Sequence, residues 1–242
     1  MKAILLAAGV GRRLRAALPQ GPKCLLAFRG RTLVERLLAG LDAAGVAEAV
    51  IVVGFQRQAI ESKIGTAWGR MPVSYVVNPD YEKGAILSLW AAREHFTDDL
   101  LIMDADVFCP GEMIARLVRS SHRNCFLLDG RVQGSGEEMM LMARDGRVLD
   151  IGRGVKPGYD IFGESVGFLK VARPAVPDLL AALRQRLEAG YDRSEHEEAY
   201  PFFLQRQVAG FERVDDLPWA EIDFPEDVAH VDRELVPLVD GS

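Results

Sequence analysis

The chain has 242 residues, 49% of them hydrophobic and 26% charged, with 23 Gly, 12 Pro and 3 Cys. That is apolar material for one sizeable core, and it excludes a disordered, collagen-like or disulfide-stapled protein. A net charge of −6 argues against a nucleic-acid binder that works through a broad basic face. No apolar run approaches the roughly 18 residues of a membrane helix. Cys24, Cys109 and Cys125 are odd in number and far apart, with no C-x-x-C spacing, so a reducing compartment without a zinc site is expected. The apolar start of the chain runs straight into Arg12 and Arg13, unlike a cleavable leader, and the expectation is a cytoplasmic protein.

In chain order, 3–8 reads as a buried strand ended by Gly9 and Gly11. Residues 32–44 put Leu33, Leu37, Leu38 and Leu41 on one helical face, stopped by Gly45. Strands at 49–53, 73–77 and 99–103 alternate with helices at 56–63, 85–95 and 111–120, and a strand follows at 125–128. Alternation of this kind predicts right-handed βαβ units and a parallel sheet covered on both faces. After Asp129 the pattern changes. Segments 138–143 and 147–151 flank Asp145-Gly146, a hairpin turn signal, and 165–171 reads as another strand. Helices are expected at 174–189 and 195–208, a short strand at 211–214 and a last helix from Pro225. The predicted class is α/β: a Rossmann-like three-layer α/β/α fold whose mainly parallel mixed sheet carries an added hairpin and helices.

Charge is unevenly spread. Residues 1–36 hold eight cations (Lys2, Arg12, Arg13, Arg15, Lys23, Arg29, Arg31, Arg36) against one acid, Glu35. Solvated surface charge explains such a cluster as well as an anion site does. More informative is Leu6-Ala7-Ala8-Gly9-Val10-Gly11-Arg12-Arg13, followed by Pro22-Lys23, at the carboxyl end of the first strand, where open α/β sheets bind ligands. Glycines there let backbone N–H groups approach a phosphate chain. A dinucleotide fingerprint needs a third glycine where Leu14 stands, and a Walker loop needs Gly-Lys-Ser/Thr, which is absent. Taken alone, Gly-x-Gly carries little weight.

With Arg13 and Lys23 attached, the segment resembles the signature loop of the nucleotidyltransferases that make nucleoside-diphosphate-linked metabolites. The resemblance implies that Leu6, Ala7, Ala8, Gly9 and Gly11 wrap the triphosphate. Arg13 and Lys23 then act as the catalytic cations, stabilising charge as pyrophosphate leaves. A second segment, Met103-Asp104-Ala105-Asp106, is similar to the family's strand-end motif whose Asp holds Mg²⁺, here Asp106. Asp104, two residues earlier on the same face, is the second choice for the metal and joins the nucleotide-binding set. A third, Trp219-Ala220-Glu221-Ile222-Asp223-Phe224-Pro225-Glu226-Asp227, resembles the late segment that supplies the other metal ligand, Asp223. Glu226 and Asp227 read as favourable charges in the first turn of the last helix.

The likeness spans residues 3–229, in a form similar to the small cytidylyltransferases that act on phosphocholine, inositol phosphate or aminoethylphosphonate. One domain, 1–242, is then expected, with 1–129 as the nucleotide-binding half and 130–242 as the acceptor-binding half. Several of those enzymes place Asn shortly before Ser88-Leu89, where this chain has Lys83-Gly84-Ala85, so the backbone N–H groups of Gly84 and Ala85 are expected to serve the nucleotide. Glu164 and Glu198 fall in segments that resemble the acceptor side, and Tyr159 is among the aromatics that could line a pocket there and suit a quaternary ammonium. His95, His122, His196 and His230 form no triad or metal spacing and receive no catalytic role. The activity implied is Mg²⁺-dependent transfer of CMP from CTP to a small phosphorylated or phosphonate, phosphocholine-like acceptor. No nucleic-acid or membrane partner is implied, and a homodimer stays open. A hexose-1-phosphate nucleotidyltransferase using UTP, GTP or dTTP, and a non-catalytic nucleotide-binding protein of the same fold, remain as alternatives.

Overall fold

The computed structural model describes residues 1–15, 21–131, 136 and 138–241. Its first part contains β1 (Lys2–Ala7), α1 (Leu33–Ala43), β2 (Glu48–Val53), α2 (Arg57–Ile64), β3 (Met71–Val77), α3 (Ala85–Ala91), β4 (Leu100–Asp104), α4 (Gly111–Arg119) and β5 (Cys125–Asp129). Its second contains β6 (Met139–Arg144), β7 (Arg147–Arg153), β8 (Ile161–Val171), α5 (Val176–Glu188), α6 (Tyr200–Leu204), β9 (Gly210–Arg213), α7 (Pro225–His230) and α8 (Val236–Asp240).

The main sheet runs β7–β6–β8–β4–β1–β2–β3. Strands β4, β1, β2 and β3 are mutually parallel, as alternation with helices requires. Both faces of the central strands are covered, so β1, β2 and β4 carry continuous apolar runs and do not alternate: Ala3, Ile4 and Leu5 of β1 are all fully buried. On one face Leu37, Leu38 and Leu41 of α1 pack with Leu5, Ile51 and Met103. On the other, Ile86 and Leu89 of α3 and Leu179 and Leu183 of α5 pack with Ile4, Val50 and Ile102. Each such fully buried side chain contributes roughly 1.5–3 kcal/mol. A reciprocal cap starts α1, with Thr32 Oγ1 accepting from the Glu35 N–H and Glu35 accepting from the Thr32 N–H at 2.7 Å. Among the described residues no helix is long and apolar enough to cross a membrane.

Beyond β4 the sheet turns antiparallel. Strand β5 follows β4 and α4 in the chain, yet it does not lie beside β4. The longer β8 is inserted between them, pairing antiparallel with both. The hairpin β6–β7 forms at Asp145-Gly146, and β6 lies against the first residues of β8. Strands from both halves of the chain thus share one sheet. The register of β8 shifts between Ser165 and Leu169, around Gly167 at φ 78°. A Cβ at Gly167 would stand 2.4 Å from Asp104 Oδ2, so this bulge carries β8 against the end of β4.

Two expected helices differ in form from a plain α-helix. The 195–208 stretch is a 3₁₀ turn, His196–Ala199, before α6, and the last helix passes through a π turn at Val231–Leu235 before α8. The carboxyl-terminal segment is fastened by Arg36, which donates to both oxygens of Asp240 at 2.7 Å and to the Phe28 carbonyl. Beneath it Phe28, Leu33, Phe108, Ile222 and Val231 form a separate apolar cluster.

Gly167→Ala is expected to lower unfolding free energy by about 2 kcal/mol or more, since it combines a left-handed φ with a collision at Asp104. Urea unfolding measures this, and an unchanged midpoint would contradict the packing.

Candidate active site

The carboxyl ends of β1 and β4 open into a cleft of about 610 Å³. After Ala7 the chain leaves the sheet through Ala8–Gly11 and enters a helical turn, Arg12–Arg15. Gly11 sits at φ 61°, and a Cβ there would lie 2.9 Å from Cγ and Cδ of Lys23. Glycine is therefore needed twice over: for the turn, and for the passage of the lysine stem. Lys23 opens a short 3₁₀ turn whose buried Cys24 anchors it to the core.

Lys23 Nζ lies 2.7 Å from Asp106 and 2.6 Å from Asp223. Arg13 stands 3.4 Å from Asp223, with its guanidinium 5.0 Å from the Phe224 ring centre. The two aspartates are brought together by a miniature antiparallel pair, Val107–Phe108 with Ala220–Glu221, and by the Ile222 N–H donating to the Asp106 carbonyl. Asp227 caps the following turn, accepting from the N–H groups of Asp223 and Phe224 at 2.8 and 2.7 Å.

Glu221, which the sequence reading passed over, completes a group with Asp106 and Asp223 in which one oxygen from each lies within 4.8 Å of the others. The signal for it was present, since two residues before Asp223 on a strand is the same face. Burial pushes the Asp106 carboxyl up even though Lys23 opposes the shift. Loss of hydration in the crowded cleft, then the charges of Asp106 and Asp223, push Glu221 well above the usual range. Burial alone would lower the Lys23 ammonium, but the two aspartates outweigh it and raise it. Three hard oxygen donors that strain against one another suit a divalent cation such as Mg²⁺.

The opposite wall is built by β8 and the His196–Ala199 turn. His196 is buried beneath the cleft, its Nδ1 2.8 Å from the Tyr200 hydroxyl and its Nε2 3.2 and 3.1 Å from the two oxygens of Asp104. Burial would depress this imidazole, but the charge and hydrogen bond of Asp104 prevail and raise it to about 9. No sequence spacing marks it, because the partnership is made across the sheet. Ser165 donates to Glu197 at 2.6 Å. Burial, then the charges of neighbouring acids, raise Glu164 to about 7, and burial holds Glu197 at about 7 although His196 opposes it.

Of the residues singled out from sequence, Leu6, Ala7, Ala8, Gly9, Gly11, Arg13, Lys23, Gly84, Ala85, Asp104, Asp106, Glu164 and Asp223 all line this cleft. Tyr159 and Glu198 do not. Tyr159 precedes β8 and lies 3.5 Å from Asp150, beside Arg144. Glu198 turns away because successive 3₁₀ residues point about 120° apart. Glu197 faces the cleft, while Glu198 takes the guanidinium of Arg186 on α5. The Gly84 N–H is also spent: it donates to the Asp192 carbonyl at 3.0 Å. What Gly84 supplies is room, since a Cβ there would stand 2.2 Å from the Ser194 carbonyl oxygen.

Residues 3–199 match the family described as the MobA-like NTP transferase domain. The chain belongs to this family. Its relatives in this nucleotidyltransferase family include named cytidylyltransferases. A bifunctional IPC transferase and DIPP synthase of Rubrobacter xylanophilus is 32% identical over 97% of this chain and 51% of its own length. A CMP-5'-(3-aminopropyl)phosphonate synthase of Streptomyces rubellomurinus is 35% identical over 48% of this chain and 19% of its own. The chain thus spans about half of the first relative and a fifth of the second. A CTP:phosphoglutamine cytidylyltransferase of Campylobacter jejuni is 21% identical over 94% and 98% of the two chains. The solved CTP:phosphocholine cytidylyltransferase of Streptococcus pneumoniae superimposes with a TM-score of 0.80 at 22% identity, over 97% and 98% of the two chains. The α/β nucleotidyltransferase fold expected from sequence is the fold observed. The family match ends at residue 199, before Glu221 and Asp223.

His196 makes folding stability depend on pH. A folded-state value of about 9, against an ordinary 6.5, contributes stability that is complete below pH 6.5 and lost as pH rises to about 9. The loss is about 3 kcal/mol by linkage. Unfolding free energies measured from pH 6 to 9.5 should fall in the wild type and fall less in His196→Asn; parallel curves would contradict a charged His196.

Proposed function

We propose that the protein transfers CMP from CTP to a small phosphorylated or phosphonate acceptor of phosphocholine-like character and releases pyrophosphate. One observation carries this reading: Lys23 and Arg13 follow a glycine loop and meet Asp106 and Asp223 at the ends of adjacent strands. Fixed cations in a partly dehydrated cleft are what displacement at a phosphorus needs. The relatives whose names specify CTP or a CMP product support the choice of donor.

In the proposed reaction an acceptor phosphate or phosphonate oxygen attacks the α-phosphorus. The bond from that phosphorus to the oxygen bridging to the β-phosphorus breaks, and the electron pair leaves with pyrophosphate. The attacking oxygen is already ionised at neutral pH, so positioning replaces a general base. Lys23 and Arg13 stabilise the negative charge that grows on the non-bridging and leaving oxygens. Asp106 and Asp223, with Glu221 beside them, are the residues that would hold Mg²⁺, which would neutralise charge on the triphosphate. Around the loop, backbone groups present donors and acceptors to the nucleotide, and the Ala85 region borders the same space.

The acceptor wall supports a cationic substituent. Glu164 and Glu197 line it together with Glu138 and Glu195, and a bound ammonium would favour ionisation of the two carboxyls held near 7. A quaternary ammonium or primary amine suits that wall better than a neutral polyol.

Lys23→Ala should lower kcat by roughly 10²–10³ with a smaller change in nucleotide Kd. A normal kcat with weaker binding would place Lys23 in ground-state recognition instead. The substrate reading is tested by pyrophosphate release from CTP, UTP, ATP and GTP, each against phosphocholine, phosphoethanolamine, aminoethylphosphonate, inositol phosphate and glucose 1-phosphate. CTP with an amine-bearing acceptor is the expected best pair. A tenfold preference for a purine triphosphate would overturn the donor, and a preference for the polyol phosphates would overturn the acceptor class.

A further inference from the structure

Lys23 bears on the three carboxylates in a way that the transfer reaction alone does not require. Its Nζ is within hydrogen-bond distance of two members of the Asp106–Glu221–Asp223 group at once, and its side chain is only 14% exposed. The stem has little freedom, because it passes against Gly11, where even a Cβ would crowd it. A lysine that needed only to reach a phosphate could stand anywhere along the loop. This one is placed so that its ammonium competes for the oxygens a divalent cation would use.

We infer that Lys23 is an internal competitor for the cation site, so that the Asp106–Glu221–Asp223 group takes up a divalent ion strongly only when a nucleotide triphosphate is present to receive the lysine. The inference rests on the cation-binding reading given above. Two positive centres sharing the same carboxylate oxygens in a partly dehydrated cleft repel each other. Cation entry on its own must therefore break two short ion pairs and leave an ammonium that is largely buried without an anion. A triphosphate in the same cleft removes that obstacle by offering the ammonium new oxygens. Cation and nucleotide then favour each other's binding, and by linkage the coupling is equal in both directions. Arg13 does not substitute for Lys23 here. It stands 3.4 Å from Asp223, farther than Lys23 does, and its side chain is 56% exposed. The device would keep the site from being held by free divalent ions and would match cation uptake to the arrival of the donor.

The test is Mn²⁺ binding followed by electron paramagnetic resonance, with and without α,β-methylene-CTP, in wild type, Lys23→Met and Lys23→Arg. Without nucleotide, Lys23→Met should bind Mn²⁺ at least about tenfold more tightly than wild type, and Lys23→Arg, which keeps the charge, should stay weak. Adding the analogue should tighten Mn²⁺ binding by a larger factor in wild type than in Lys23→Met. Should the methionine variant fold poorly without metal, Mn²⁺ should raise its melting temperature more than it raises that of wild type. Equal Mn²⁺ affinity of wild type and Lys23→Met, with saturable binding in both, would overturn the competitor role and leave the cation site standing. If neither protein bound Mn²⁺ even with the analogue present, both the cation site and the competition would fall.

Discussion

The meeting of Lys23 with Asp106 and Asp223 is the contact on which the rest of the cleft depends. It ties the segment after β1, the end of β4 and the stretch before α7 into one point, although these lie far apart in the chain. Lys23 is largely buried and would be costly without an anion, and the two partly exposed aspartates supply it. Much of the surrounding architecture keeps them in reach. The miniature pair at Val107–Phe108 and Ala220–Glu221 sets the aspartates side by side, and the Arg36–Asp240 clamp holds the carboxyl-terminal helices over Phe28 and Phe108.

The insertion of β8 does the same for the opposite wall. A strand antiparallel to β4 and bulged at Gly167 projects Glu164 and Ser165 toward the end of the parallel core. Asp104 is then gripped from two sides, by the backbone at Gly167 and by His196. The turn that carries His196 is itself stitched to the start of α3 through the Gly84 and Ile86 N–H groups, which donate to the carbonyls of Asp192 and Ser194. A purely parallel sheet would have put β5 beside β4 and left no strand to carry this wall.

Periodicity and turn chemistry made most of the fold legible. The buried runs of β1, β2 and β4, the leucine face of α1 and the Asp145-Gly146 hairpin are local signals, and they survive in the structure nearly to the residue. The insertion of β8 was not legible, because strand order is decided by long-range pairing and Gly167 looks like any strand glycine until Asp104 is placed against it. The site divides along the same line. Arg13, Lys23, Asp106 and Asp223 stand at fixed distances from recognisable strand ends, whereas His196 acquires a partner only through the tertiary fold. Glu198 and Glu197 are adjacent in sequence, and nothing short of the 3₁₀ geometry says which of them faces the cleft.

The charge pattern noted in the sequence finds its explanation at the same place. A cleft proposed to take polyphosphates would be expected to be basic, yet this one is lined by more carboxylates than cations. The surplus sorts into separate sets. Asp106, Glu221 and Asp223 face Lys23 and Arg13, contributed by the basic first segment. Asp104 is matched by His196 beneath the floor. Glu164 and Glu197 remain on the far wall, where burial and neighbouring acids disfavour their charged forms. In the reaction proposed above, an anionic substrate would meet cations at one end of the cleft and carboxyls whose charged forms are disfavoured at the other. Under that proposal, a molecule carrying phosphate at one end and an ammonium group at the other would suit both ends, and one with phosphate alone would engage only the first.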